Sequence, residues 1–569
     1  MIYNILCDIA HHGTVLLLLY GPFCIYLSIK TIYDNVEIIK DNDATTYNYY
    51  YMNFANISWF QYYFFLDACF YLYLQCVKYF GNIARKPLDY VNDTFPLQRR
   101  ERVFQYLLNY VINHNVDEGQ EWLSNWFLDK TRRITPSYSD LGKLNILDFF
   151  AYAFFRQKYI ENLDNMQLKE ITNYADIICS KLGKLTNQRN AKFFVMGHPF
   201  DSIIPMCQEA PLLYYVVFDF FIRYLLTEIM LIKMNYKCRN DIGPLKYFVK
   251  EPKNILRKEK NTLDIIDHTA DEKKMYDDHY YNNDDDDDDD DNNNNNNNED
   301  DNIPLIFFHG LGAGLATYYL LFEYFINSKQ FENRTIILID MPYVSMEYPK
   351  FRLPAPTIAE MNLYIETIVR RECPCFKYKH KVTIDILAHS YGTFITANIL
   401  YSKNNINTRH AILVDPVALQ LFHASLCKKF LYARKINRKD LLDILSLHAM
   451  KDISITRTLM RHGDWFDGII WLEDVLNHAD SVHIFLAGKD KFLPIEGIHK
   501  SVHDIKKLHN FNDNQMSSCI LPNTGHGTFF YLNDEIAYLK TLFEGNTLLR
   551  NNSEGILKRR KRHLKTKMY

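Results

Sequence analysis

The chain has 569 residues, 65 Lys and Arg against 68 Asp and Glu, a formal net charge of -3, and 48% hydrophobic and 15% aromatic residues. That length exceeds one typical domain and supports a large core, so at least two folded units are expected; the near-even charge argues against a nucleic-acid partner for the whole chain. Eleven cysteines lack a C-x2-C pair or even spacing, which fits free thiols in a reducing compartment better than a disulfide framework, and the lone close pair Cys373-Pro-Cys375 has no His/Cys cluster to make a metal site.

In chain order, Gly13 to Ile29 is an uncharged apolar run close to membrane-spanning length, with neither a basic n-region before it nor an A-x-A site after it. A second aromatic run, Trp59 to Val77, is interrupted by Gln61, Asp67 and Gln75 and reads equally as a second span or as a buried or interfacial helix. Lys78, Arg85, Lys86, Arg99, Arg100 and Arg102 come next, which would put the downstream chain on the cytoplasmic side. Residues 1–95 are therefore expected to anchor the chain in a membrane through one or two N-terminal transmembrane helices.

Residues 96–251 read as a helical region covering the domain downstream of it. Val103, Tyr106, Leu107, Tyr110 and Val111 repeat at three-and-four spacing, as do Trp122, Trp126 and Phe127. Pro211 to Lys233 is apolar on nearly every face yet carries Asp219, Arg223 and Glu228. Arg223 lies four residues after Asp219, so the two can pair within a buried or membrane-skimming helix. Residues 252–302 are a polar insert ending in Asp284–Asp291 and Asn292–Asn298, expected to be disordered.

Residues 303–548 carry buried β-branched and apolar runs at Pro304–Phe308, Thr335–Ile339, Val382–Leu387, Ala411–Val414 and Val482–Ala487, alternating with helical stretches. That alternation implies an α/β fold, a mostly parallel sheet flanked by helices. The helical segment at about 419–475 is too long for a crossover and reads as a lid. Residues 549–569 form a basic tail, Lys558-Arg-Arg-Lys-Arg562 with Lys565 and Lys567, read first as solvated, then as in contact with anionic lipid, and last as a nuclear-targeting run.

The chemistry centres on Ala388-His-Ser-Tyr-Gly392, between a strand and a helix. Small residues two places before and after Ser390 are needed because side chains there collide across a tight strand-to-helix turn. Such a turn raises the serine hydroxyl beside a helix N-terminus. Serine becomes a nucleophile only when a base takes its proton, and the imidazole base needs a carboxylate to fix its tautomer. The base candidate is His526, in the Gly-flanked loop Asn523-Thr-Gly-His-Gly527. The acid candidate is Asp490, after the strand Val482–Ala487, and Asp415, after Ala411–Val414 and before Pro416, is its rival. His389 is expected to pack or orient rather than act as base, and the His462/Asp467 spacing reads as coincidence among many such residues.

An oxyanion needs backbone N–H donors aimed where charge develops. Tyr391, after the serine, and Leu311, in the loop His309-Gly310-Leu311-Gly312, are the candidates, with the glycines allowing close backbone approach. These parts imply hydrolysis of a carboxylic ester or thioester, of a membrane lipid or acylated small molecule, with no metal or cofactor. Acyl transfer or amide cleavage on the same residues, or a non-catalytic membrane scaffold, are the alternatives.

The segments His309-Gly-Leu-Gly, Ala388-His-Ser-Tyr-Gly392, Gly488-Lys-Asp490 and Gly525-His526-Gly527 resemble the α/β-hydrolase superfamily over about residues 303 to 545. More narrowly, the chain is similar to membrane-anchored α/β-hydrolase domain proteins of fungi and protists. That similarity adds the N-terminal hydrophobic segments, Asn125-Trp-Phe127, Pro211-Leu-Leu-Tyr214, Asp415-Pro416 and the run His309 to Leu315. Ala388 stands where glycine is commoner, a departure the turn should tolerate. The resemblance implies hydrolase chemistry without a cofactor and names no substrate.

Overall fold

The computed structural model describes residues 20–32, 36–39, 49–52, 58–83, 96–109, 115–131, 134–196, 201–253, 303–348, 355–402, 405–432, 448–462, 465–466, 468–531 and 536. The start of the Gly13–Ile29 run, nearly all of the Asp/Asn insert, Asp467, part of the lid and the basic tail lie outside these residues.

An eight-stranded sheet organises the chain. In sequence order its strands are β1 (Lys237–Ile242), β2 (Leu245–Lys250), β3 (Leu305–Phe308), β4 (Ile336–Asp340), β5 (Val382–His389), β6 (Ile406–Val414), β7 (Ala479–Ala487) and β8 (Met516–Leu521). Across the sheet they run β8-β7-β6-β5-β3-β4-β2-β1. Every pairing from β4 to β8 is parallel, and β2 joins β4 antiparallel with β1 antiparallel to β2. This is the α/β sheet expected, extended by an antiparallel hairpin that the sequence pattern does not reveal. Lys237–Ile242 is partly exposed and charged, with no buried β-branched run to mark it as a strand.

Side chains on successive strand residues go to opposite faces, and both faces are covered. In β3, Leu305 and Phe307 pack with Leu321, Phe322 and Phe530, while Ile306 and Phe308 pack with Ile365, Ile368 and Phe394 on the other side. Two helices cover this second face. Ile358–Glu372 starts in a Thr357/Glu360 capping box, and Tyr391–Tyr401 has ten buried residues.

Between β6 and β7 the chain forms a cap that includes Ala424–Cys427, Lys428–Tyr432 and the helix Ile453–Arg461, in the region read as a lid. Asp452 caps that last helix by accepting from the N–H groups of Ser454 and Ile455.

The helices before β1 pack on this body. Trp122 donates its indole N–H to the Phe422 carbonyl of the cap at 2.9 Å. Leu212–Tyr215, Val216–Glu228 and Ile229–Lys233 form one continuous helix. Among the described residues no helix is long and apolar enough to cross a membrane. That corrects the second expected span. Trp59–Ile83 has 25 residues, about 37 Å of helix, but Gln61, Asp67, Gln75, Lys78 and its tyrosines keep it too polar to cross.

Candidate active site

Ser390 sits between β5 and the helix Tyr391–Tyr401 with φ 50° and ψ −114°, a conformation that side chains other than glycine rarely adopt. The turn holds because its neighbours are small. A Cβ on Gly392 would lie 2.4 Å from the carbonyl oxygen of Phe308 in the adjacent strand, so only glycine fits there. The N–H of Ser390 donates to the Val414 carbonyl at 3.0 Å, and the Thr393 hydroxyl donates to the Ser390 carbonyl at 2.6 Å. These bonds fix the serine backbone from both sides.

His526 lies 2.9 Å from the Ser390 hydroxyl through Nε2 and 2.6 Å from Asp490 Oδ2 through Nδ1. With Nδ1–H donating to the carboxylate, Nε2 is free to accept the serine proton, a tautomer assigned from the bonding pattern. The other Asp490 oxygen accepts from the N–H groups of Phe492 at 2.6 Å and Leu493 at 3.1 Å. Burial pushes the Asp490 carboxyl up, but His526 and those two N–H groups outweigh it and hold the group below its ordinary value. The Phe492 ring stands edge-on to His526 with ring centres 5.0 Å apart.

Asp415 is the second carboxylate nearby, and it is used differently. Oδ1 accepts from the Ala487 N–H at 2.7 Å and Oδ2 from the Gly527 N–H at 2.8 Å. Burial pushes its carboxyl up to about 6, helped by the Asp490 charge and opposed by His526 and the two N–H donors. One atom each from Asp415, Asp490 and His526 lie within 4.8 Å of one another, a spacing that could hold a cation. Here all four carboxylate oxygens already accept N–H hydrogen bonds.

The loop after β3 is held by its own side chains. His309 is fully buried; its Nδ1–H faces the Gly310 carbonyl at 2.7 Å and its Nε2 accepts from the Met341 N–H at 2.9 Å. The N–H of Gly310 donates to the Tyr318 hydroxyl at 2.9 Å and that of Gly312 to the Val344 carbonyl at 3.1 Å. Both glycine N–H groups are therefore engaged, and Leu311 between them lines the cavity beside Ser390 and Tyr391. Gly310 also admits no Cβ, which would meet His389 Nδ1 at 2.8 Å and the Ser390 Cβ at 3.1 Å.

His389 is buried behind the serine, bonded to the Tyr318 hydroxyl at 2.7 Å, and lies 3.9 Å from Asp415. Burial and the neighbouring His526 and His309 hold its pKa well below the usual imidazole value, so it stays neutral. It packs against the site, as expected, and does not reach the hydroxyl as a base. His462 ends the cap helix, and Asp467, whose spacing from it reads as coincidence, lies outside the described residues.

Sequence reasoning missed Tyr318, which ties Gly310 to His389, because a tyrosine nine residues past His309 belongs to no motif. It also missed the cavity walls. Leu311, Phe394, Val417, Leu421, Leu426, Phe430, Leu459 and Trp465 surround Ser390 and Tyr391 and leave about 40 Å³ open. Six of these lie between β6 and β7, in the cap and its entry, where the sequence carries no catalytic pattern.

No known protein family and no curated protein matches the chain. Among solved structures, the chain is similar to a putative aryl esterase from Burkholderia cenocepacia, at 12% identity and TM-score 0.29 over 54% of this chain and 99% of that one. A bacterial membrane phospholipase A gives 11% identity and TM-score 0.32 over 58% and 94%. The carboxylesterase CesB from Bacillus subtilis gives 10% and 0.32 over 59% and 98%. The narrower resemblance to membrane-anchored proteins of fungi and protists is not shown by these comparisons.

Proposed function

We propose that the chain is a serine hydrolase of the α/β-hydrolase kind, cleaving a carboxylic ester or thioester of an acyl-chain substrate in association with a membrane. The observation that carries this reading is the unbroken relay from the Ser390 hydroxyl through His526 to Asp490, at 2.9 and 2.6 Å. In the first step Ser390 Oγ attacks the acyl carbonyl while His526 Nε2 takes its proton. The resulting oxyanion is held by the N–H groups of Leu311 and Tyr391. His526 then returns the proton to the leaving alcohol or thiol, and a water activated by the same imidazole releases the acid. Asp490 orients the imidazole and stabilises its charged form. Ser390 lies at the positive end of its helix, which favours the developing negative charge.

The apolar cavity supports an acyl group as the part held beside Ser390. Its open volume suits an acetyl-sized group in this arrangement, so a longer chain requires the cap to move. Turnover of a series of 4-nitrophenyl esters from acetate to decanoate tests the reading. Hydrolysis of at least one member that disappears in Ser390→Ala is expected. No hydrolysis of any ester or thioester by the folded protein would count against it.

A further inference from the structure

Three of the helices that precede the sheet are built with their polarity reversed relative to a helix bundle in water. In the helix at residues 20–32, Gly21, Cys24, Ser28 and Thr31 face inward and are buried, while Phe23, Tyr26 and Ile29 face outward and are exposed. The partner helix Trp59–Ile83 repeats the arrangement. Its only charged residues, Asp67 and Lys78, are buried, and Phe65, Leu66, Leu72, Tyr79 and Phe80 form an exposed stripe that recurs about every two helical turns.

The inward polar groups satisfy one another. Tyr20 bonds Tyr63 at 3.2 Å, the Ser28 hydroxyl donates to the Phe64 carbonyl at 3.3 Å, and Lys78 pairs with Glu209. Asp67 binds all three helices together. It takes the Cys24 thiol at 3.8 Å on one oxygen, and on the other the N–H of Leu212 at 2.7 Å, where the third helix begins. Gly21 permits the close approach, since a Cβ there would lie 2.1 Å from the Tyr71 ring.

The third helix, Leu212 to Lys233, obeys the same rule. Arg223 turns inward to Asp340 at 2.8 Å, Asp219 at 3.0 Å and Glu347 at 3.1 Å, and Glu228 pairs with Lys246. Val217, Phe220, Phe221, Tyr224 and Leu226 are left exposed.

We infer that the outward faces of these three helices contact the hydrocarbon and interface of a lipid bilayer, into which they settle side-on without crossing it. In water, charged groups face out and phenylalanines face in; the opposite sorting is what a lipid solvent selects. A protein partner would meet a polar rim. Here the exposed charged residues on the three helices, among the described residues, are Lys30 and Lys233, each near its helix's C-terminal end and suited to anionic headgroups; Asp219, half-buried with its side chain 38% exposed, is paired with Arg223. The sequence directly before the first helix, Val15-Leu16-Leu17-Leu18-Leu19, is likewise apolar. Through Phe70 and Tyr215 the lipid-facing helices pack on Ile453, the first residue of the cap helix that places Leu459 beside Ser390.

This surface supplies the membrane partner of the proposed reading, but its test does not depend on the chemistry at Ser390. The full chain is mixed with phosphatidylcholine vesicles containing phosphatidylglycerol and floated on a density gradient. The wild type is expected to float with the vesicles, and to float less with phosphatidylcholine alone. Phe65→Glu with Leu66→Glu, or Phe220→Glu with Phe221→Glu, should lower the bound fraction at least about tenfold. Leu508→Glu and Tyr378→Glu, at exposed positions elsewhere, should leave it unchanged. Thermal unfolding and serine-directed labelling of each variant report folding and the active serine separately. Wild type that stays with the soluble fraction, or double variants that float as well as wild type, would overturn the inference. So would a lipid-free dimer that the same substitutions break while vesicles fail to bind. Flotation without any serine labelling would instead count against the hydrolase reading and leave the lipid surface standing.

Discussion

Asp415 gives a carboxylate oxygen to the backbone N–H of Gly527, at 2.8 Å, beside the imidazole of His526 rather than on it. Its other oxygen holds the N–H of Ala487, so the residue ties the end of β6 to the end of β7 and to the histidine loop. Asp490 alone of the two bonds the His526 ring. Asp490→Asn is therefore expected to lower kcat by roughly 10⁴, through the wrong imidazole tautomer. Asp415→Asn should cost about tenfold or less in kcat and should lower the unfolding temperature, because its amide can turn an N–H donor toward an N–H donor. Steady-state kinetics on the two folded variants decide; equal losses would contradict the assignment of roles.

His309 acts on the oxyanion loop from beneath, bonding the Gly310 carbonyl and the Met341 N–H from opposite ring nitrogens. His309→Ala frees both groups and loosens the backbone that presents Leu311. The expected result is a fall in kcat of roughly 10²–10³, the range seen when one oxyanion donor is lost, with KM changed far less. A KM effect alone would mean that the loop only binds substrate.

Gly392 faces backbone, which cannot turn aside as a side chain can. Gly392→Ala places a methyl 2.4 Å from the Phe308 carbonyl oxygen and should destabilise the fold by about 1–3 kcal/mol while displacing Ser390. Denaturant unfolding of this variant beside Gly497→Ala, where the nearest atom would be 3.9 Å away, gives the comparison. Similar stabilities would show that the turn is more yielding than its contacts imply.

Asp452 links the helix that begins at Leu212 to the cap. Its carboxyl accepts from Ser454 and Ile455 and from the Tyr215 hydroxyl at 3.3 Å, and burial pushes it up to about 7 against those bonds. A carboxyl raised in the folded state binds a proton that the unfolded chain has already released. Stability from this group is full below about pH 4 and declines as pH rises toward 7. From 3.8 to about 7 is about three pKa units, at most roughly 4 kcal/mol of decline. Asp452→Asn keeps the capping acceptor and removes the charge, so its stability should fall less than wild type over that window. Thermal unfolding at pH 5, 6 and 7 measures the difference; parallel curves would exclude the effect.

The site was legible wherever chemistry constrains neighbours in sequence. Ser390 is flanked by small residues because the turn has no room, and His526 by glycines in a short loop. Asp490 comes after a strand made plain by its β-branched and apolar run. Asp415 and Asp490 were not separable in sequence because both end parallel strands that meet at one loop. Their roles differ only through which N–H groups each oxygen reaches. Tyr318, Phe492 and the cap residues stayed hidden because they act through contacts between distant segments.

The fold was legible for the buried parallel strands and illegible for the hairpin: the mixed charges of β1 suit the sheet's edge, and in β2 Lys246 and Lys250 interrupt a short run that lies inside the sheet. Asp67 shows the limit most clearly. Along the sequence it only interrupts an apolar run, whereas in the fold it is buried between three helices and reverses the meaning of the run around it.

Activation of Ser390 is read directly by labelling with a serine-directed fluorophosphonate, comparing wild type with Ser390→Ala and His526→Ala. Phosphonylation requires a hydroxyl activated by its base, independently of which ester the protein prefers. Strong labelling of wild type is expected, with none of Ser390→Ala and almost none of His526→Ala. A folded wild type that does not label, or a Ser390→Ala protein that labels as strongly, would contradict that activation.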